Sequence, residues 1–154
     1  MDERKWIERI LAGDTQSFSC LVAKYEKMAY TIALRILENR EEAEEAVQDA
    51  FVKMYRALSD FHFDSKFSTW FYRIVYRTAL TALRQQRMFV SYEEAGPVDL
   101  SNDEVESATA LLEREDRKEM IARTLKKLPA DEALLLTLYY LEECSVEEIC
   151  QITE

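Results

Sequence analysis

The sequence predicts an all-α fold of two small helical domains joined by an acidic linker. Apolar residues recur at helical spacing through most of the 154 residues, and glycine and proline occur only twice each. The stretch VSYEEAGPVDLSNDEVES interrupts that pattern with six acids, Gly96 and Pro97. The expected parts are residues 1–88, a linker over 89–107 and a second domain over 108–154.

In the first part, Trp6, Ile7, Ile10 and Leu11 make a short amphipathic helix that ends near Gly13, a residue suited to the left-handed conformation that follows many helices. Asp14 then caps a long core-facing helix, in which Phe18, Leu21, Val22, Tyr25, Met28, Ala29, Ile32, Ala33, Ile36 and Leu37 keep the spacing. Asn39 and Arg40 mark a turn. From Glu41 to Leu58, Ala43, Val47, Phe51, Met54 and Leu58 face inward, while Glu41, Glu45, Gln48, Asp49 and Val52 share the outer side. Acids in a first helical turn are favoured by the macrodipole in any protein, so this outer face is either a docking surface or simply solvated.

Residues 59–65 (SDFHFDS) break the periodicity, and Phe61 and Phe63 are either core under the loop or part of a surface on which a base stacks. A helix follows, with Ser68 and Thr69 as cap types at its start and with Trp70, Phe71, Ile74, Val75, Ala79, Ala82 and Leu83 as its docking arc. Its other arc carries Arg73, Arg77, Arg84 and Arg87, which fall on one stripe at 3.6 residues per turn. A row of guanidinium forks suits phosphates, and a polyanion is one reading of it. Pairing with acids of neighbouring helices is the other.

The second part places Leu111, Leu112, Met120, Ile121, Leu125 and Leu128 on the buried face of a helix that starts near Ala108 and is stopped by Pro129. ADEALLLTLYYLEE follows as a short apolar helix, and Ser145 to Glu148 read as a capping box that opens a third. Three short helices with tight turns match a helix-turn-helix module, left incomplete because no recognition helix follows before Glu154.

The formal charge of -10 opposes nucleic-acid binding when taken as a sum, but its distribution does not. Residues 65–92 hold Lys66 and the four arginines without one acid, so all thirty carboxylates lie elsewhere. That segregation suggests one surface for an anion and another for a basic protein. No window approaches the roughly 18 uninterrupted apolar residues of a membrane span, and the charged start MDERKWIERI makes the cytoplasm the expected compartment. Cys20, Cys144 and Cys150 have no metal-ligand spacing and read as buried thiols, while the single His62 argues against a triad or a zinc site. Neither an enzyme nor a cofactor is expected.

Three pieces in this order resemble the extracytoplasmic-function sigma factors of bacterial RNA polymerase: AEEAVQDAF (residues 43–51), FSTWFYRI (67–74) and LPADEALLLTLYYLEECSVEEI (128–149). The first is similar to the family's region two-point-two, the second to its melting region and the third to the opening of its second DNA-binding domain. The resemblance implies that Glu41, Glu45, Gln48, Asp49 and Val52 meet the beta-prime clamp helices of core RNA polymerase. It implies too that Phe63, Asp64, Ser65, Lys66 and Phe67, with Ser68, Thr69 and Trp70, capture a base flipped from the non-template strand of the promoter minus-ten element. Arg73, Arg77, Arg84 and Arg87 would then hold the opening duplex.

By the same resemblance the second domain reads the minus-thirty-five element and touches the beta flap, an anti-sigma protein is a further partner, and the factor is a monomer without a cofactor. Three departures matter. Arg77 stands where the family usually has Asn, Thr81 where it often has Asp, and Glu45 where Asp is usual. The absent recognition helix implies a chain truncated within its second DNA-binding domain and unable to bind the minus-thirty-five element. A duplex-binding helix-turn-helix regulator that works without polymerase, or a helical adaptor, are the competing readings.

Overall fold

In a computed structural model of the chain, residues 2–90 and 112–154 are described. They form α1 (Glu3–Leu11), α2 (Thr15–Leu37), α3 (Arg40–Ala57), a 3-10 turn (Leu58–Asp60), α4 (Phe67–Val90), α5 (Leu112–Leu125), α6 (Ala130–Tyr140) and α7 (Val146–Thr153), with no strand among the described residues. The expected helix start at Ala108, the expected core position Leu111 and the linker from residue 91 onward lie outside them.

Local signals set the first three helix starts. Asp2, Asp14 and Asn39 are extended and accept hydrogen bonds from the amides of Arg4, Gln16 and Glu42, which satisfies donors that a helix start leaves open. Asp14 also accepts from the Ser17 hydroxyl at 2.9 Å. Gly13 takes φ 98° between α1 and α2, a conformation that costs glycine little. The start of α4 differs from expectation. Its first turn already includes Ser68 and Thr69, and the Lys66 carbonyl accepts from the Trp70 amide at 3.2 Å, so the helix begins ahead of both expected cap residues. Thr69 is instead buried, and its hydroxyl meets no partner. At its far end α4 runs through Val90, beyond the boundary expected at residue 88.

The core lies where α2, α3 and α4 pack on one another, with α1 laid along α2. Leu21, Tyr25, Ile32, Ala43, Val47, Phe51, Met54, Phe71 and Val75 fill it. Phe71 is fully enclosed, 4.8 Å from the Phe51 ring and 5.9 Å from Tyr25. The C-terminal helices join the same apolar cluster: α6 packs on α2 and α7 on α4, through Leu134, Leu138, Cys144, Ile149 and Ile152. Polar ties accompany that packing. The Tyr72 hydroxyl donates to Glu142 Oε2 at 2.7 Å, and Lys66 Nζ lies 2.8 Å from Glu148 Oε1.

Several expected core residues are not core. Leu11 is exposed because it ends α1 beyond the packing of Ile7 and Ile10 on α2. In α5 only Leu125 is buried among the described side chains; Met120 is 66% exposed and Ile121 is also open, since no described surface faces them. That helix ends at Leu125, four residues ahead of Pro129, which forms the extended cap of α6 instead of the stop of α5. Of the cysteines only Cys144 is buried, whereas Cys20 and Cys150 lie on the outer sides of α2 and α7. The capping box of α7 forms as the sequence predicts, with Ser145 accepting from the Glu148 amide and Glu148 accepting from the Ser145 amide.

Two measurements test this packing. Phe71→Ala lowers unfolding free energy in denaturant titration by about 3–5 kcal/mol, while Phe63→Ala, on an exposed loop, costs about 1 kcal/mol or less. Glu148→Gln keeps the capping box but removes the charge facing Lys66. It leaves circular dichroism unchanged while the Ile149 and Ile152 amides exchange hydrogen faster, as α7 leaves α4 more often.

Candidate nucleic-acid interface

The loop between the 3-10 turn and α4 rests on a stack of aromatic rings. Phe61 is buried, with its centroid 4.9 Å from Trp70 and 5.5 Å from Phe67. Phe63 sits above it at 4.7 Å and is 41% exposed. The two phenylalanines therefore divide the alternatives that the sequence left open: one is core, the other surface. Phe63 also takes φ 62°, a left-handed backbone that disfavours a residue with a Cβ by roughly 1–2 kcal/mol. Its ring is thus held outward by a loop that over-determines it. The guanidinium of Arg4, from α1, lies 5.0 Å from the Phe63 centroid. Nothing in the sequence brings residue 4 next to residue 63; the helix packing does.

The remaining residues of the loop and of the first turn of α4 separate by burial. Asp64 and Lys66 are exposed, Ser65, Ser68 and Trp70 partly so, and the Ser65 hydroxyl donates to the Lys66 carbonyl at 3.4 Å. Phe67 and Thr69 face the core, where they support the loop and present no surface of their own. Phe67 is enclosed by Tyr25, Phe61, Trp70 and Phe71. Lys66 is engaged by Glu148: their hydrogen bond raises the ammonium above its ordinary value and lowers the carboxyl below its own. Behind the loop, burial first and Glu142 second keep the Tyr72 phenol protonated far above its usual range.

The four arginines lie along α4 as the spacing predicts, and none of them forms an ion pair with another described residue. Arg77, Arg84 and Arg87 are exposed; Arg73 is partly buried, and its Nε is enclosed without a hydrogen-bond partner. A cleft of about 850 Å³ opens between α4 and α6, lined by Ile36, Tyr76, Leu83, Arg87, Leu134 and Leu135. It lies near the far end of α4, roughly 20 Å along the helix from Phe67 at 1.5 Å per residue.

On α3 the other candidate set is continuous. Glu41, Glu45, Gln48, Asp49 and Val52 are all exposed, and Val52 places an apolar patch among the acids. Lys53 pairs with Asp49 at 2.9 Å and also reaches the Thr78 hydroxyl at 3.3 Å. Both partners of that pair are half-exposed, so it holds Asp49 only weakly.

Known proteins share this helical frame. The family described as Sigma-70 region 2 matches residues 21–88, which run from α2 almost to the end of α4. The ECF RNA polymerase sigma-E factor of Escherichia coli K12 is 31% identical over 96% of this chain and 81% of its own length. An engineered region 2 of sigmaE, solved in complex with GTAAAA, superposes with a TM-score of 0.55 at 34% identity, covering 58% of this chain and 94% of that one. The fold also matches CnrH, solved in complex with the cytosolic domain of CnrY, with a TM-score of 0.62 at 20% identity over 97% of this chain and 81% of that one. A 31% identity that runs over nearly the whole length, together with the region 2 match, places this chain in the ECF family of RNA polymerase sigma factors.

Proposed function

We propose that this sigma factor directs promoter recognition and transcription initiation through two opposed surfaces of its residue 1–88 domain. The single observation that carries the reading is the placement of an exposed, strained aromatic, Phe63, beside Lys66 at the head of a helix whose exposed arginines have no described acid partner. Phe63 offers a π-face for one unpaired base of the non-template strand, with Asp64 and Ser65 of the same loop and Ser68 of the first turn of α4 to meet its edge. Phe67, Thr69 and Trp70 act from beneath. Arg73, Arg77, Arg84 and Arg87 hold the phosphates that follow. Likeness to the engineered sigmaE region 2, solved with GTAAAA, supports this reading.

Opening of the minus-ten element is then differential binding without turnover: a surface that binds single strand better than duplex shifts the equilibrium toward the open form. The acidic α3 face, Glu41, Glu45, Gln48, Asp49 and Val52, docks on the basic clamp helices of the polymerase beta-prime subunit in the cytoplasm. Its charges steer association, and Val52 gives the interface an apolar centre. Residues 108–154 belong to the domain that faces the minus-thirty-five element and the beta flap, with residues 89–107 as the tether. The cleft between α4 and α6, whose leucines are rimmed by Glu38, Arg87 and Asp131, suits an amphipathic helix of an anti-sigma protein, a partner for which CnrH with its bound CnrY domain is the parallel.

Retention on immobilised core RNA polymerase tests the docking face. Glu45→Lys with Gln48→Ala abolishes retention while leaving the thermal unfolding midpoint unchanged; equal retention would remove α3 from the interface. The arginines are tested by Arg77→Ala with Arg84→Ala, which retains core binding but lowers open-complex formation. The salt slope of single-strand binding falls by about 0.7 for each phosphate no longer neutralised. A failure to bind core would make the stripe structural.

A further inference from the structure

We infer that Arg4, on α1, engages the captured single strand and exchanges its place on Phe63 for a backbone phosphate. This rests on the reading of the Phe63 loop as the single-strand site and adds a residue from a different helix to it. Phe61 meets the Phe63 ring at 4.7 Å, and the guanidinium lies over the same ring, 5.0 Å from its centroid. That separation leaves no space for a base between the two groups, so a nucleobase that stacks on this side of Phe63 must displace the guanidinium.

Displacement is easy, whereas loss of the residue from the site is not. The Arg4 side chain is 65% exposed, and its one described ion pair, with Glu8 at 3.3 Å, is an exposed pair one helical turn away. Its backbone, by contrast, is fixed. The Asp2 cap holds the first turn of α1, Glu3 is bound by Lys24 and the Tyr25 hydroxyl, and Ile7 and Ile10 anchor the helix in the core. A planar cation on a flexible stem, rooted beside the loop, therefore shields an apolar ring when the site is empty. When a nucleotide takes the ring, the same cation is within a side chain's length of that nucleotide's phosphate. The ligand class is an unpaired deoxynucleotide within a strand.

The test is selection of random-sequence single-stranded DNA of about twelve nucleotides on holoenzyme made with wild type, Arg4→Gln, Arg4→Lys and Phe63→Ala. Arg4→Gln weakens binding about three- to tenfold and lowers the salt slope by about 0.7, with the selected sequences unchanged. Arg4→Lys restores the slope. Phe63→Ala weakens binding at least as much and changes the selected base. Wild-type affinity and slope for Arg4→Gln, with Phe63→Ala impaired, overturn the role of Arg4 alone. Unimpaired Phe63→Ala overturns the loop reading, and the role of Arg4 with it. Equal weakening by Arg4→Lys and Arg4→Gln, with a lowered thermal midpoint in both, makes Arg4 a support of the loop and also overturns the proposal.

Discussion

The arrangement depends on aromatic packing around Phe71. Tyr25 from α2, Phe51 from α3, and Phe67 and Tyr72 from α4 all meet that ring, so one fully enclosed side chain fixes how the three long helices cross. Aromatic pairs prefer offset-stacked or edge-to-face geometry, which makes such a cluster orientation-specific as well as apolar. It continues without a break through Phe67 and Trp70 to Phe61 and ends at the exposed Phe63. The surface proposed to meet a strand is thus the outer rung of the core. Its position is set by packing, not by loop chemistry.

The same constraint separates the charges. α3 and α4 pack through their apolar sides, with Lys53 of α3 reaching Thr78 of α4 at the edge, and among the described residues no acid of α3 pairs with an arginine of α4. The -10 net charge is therefore compatible with a cationic stripe. A chain with the same composition and a mixed pattern would form i,i+4 pairs of the kind seen between Asp49 and Lys53, and would present neither surface.

Much of this could be read from residue order. Helical periodicity located α1 to α4, and Asp14 and Ser145 announced their caps, because these signals act within a few residues. The outer face of α3 and the arginine stripe also follow from periodicity alone. What failed depended on distant partners. Met120 and Ile121 have the spacing of a buried face yet lie exposed, since burial needs an opposing surface that spacing cannot supply. Ser68 and Thr69 have cap chemistry, but the Phe67 ring must enter the core, and that requirement starts the helix earlier. The left-handed Phe63, the reach of Arg4 and the ties from Glu142 to α4 and from Glu148 to Lys66 likewise arise from tertiary packing.

Glu148 serves two segments at once. One of its oxygens closes the first turn of α7 by accepting from the Ser145 amide at 2.7 Å, and the other holds Lys66 at 2.8 Å. A single carboxylate is both the local start signal of a helix and its remote mooring. Fraying of that first turn weakens the hold on the loop lysine, and loss of the lysine weakens the first turn by the same coupling free energy. Communication between α7 and the loop is therefore reciprocal: the coiling of eight residues near the C-terminus and the pairing of Lys66 stabilise each other.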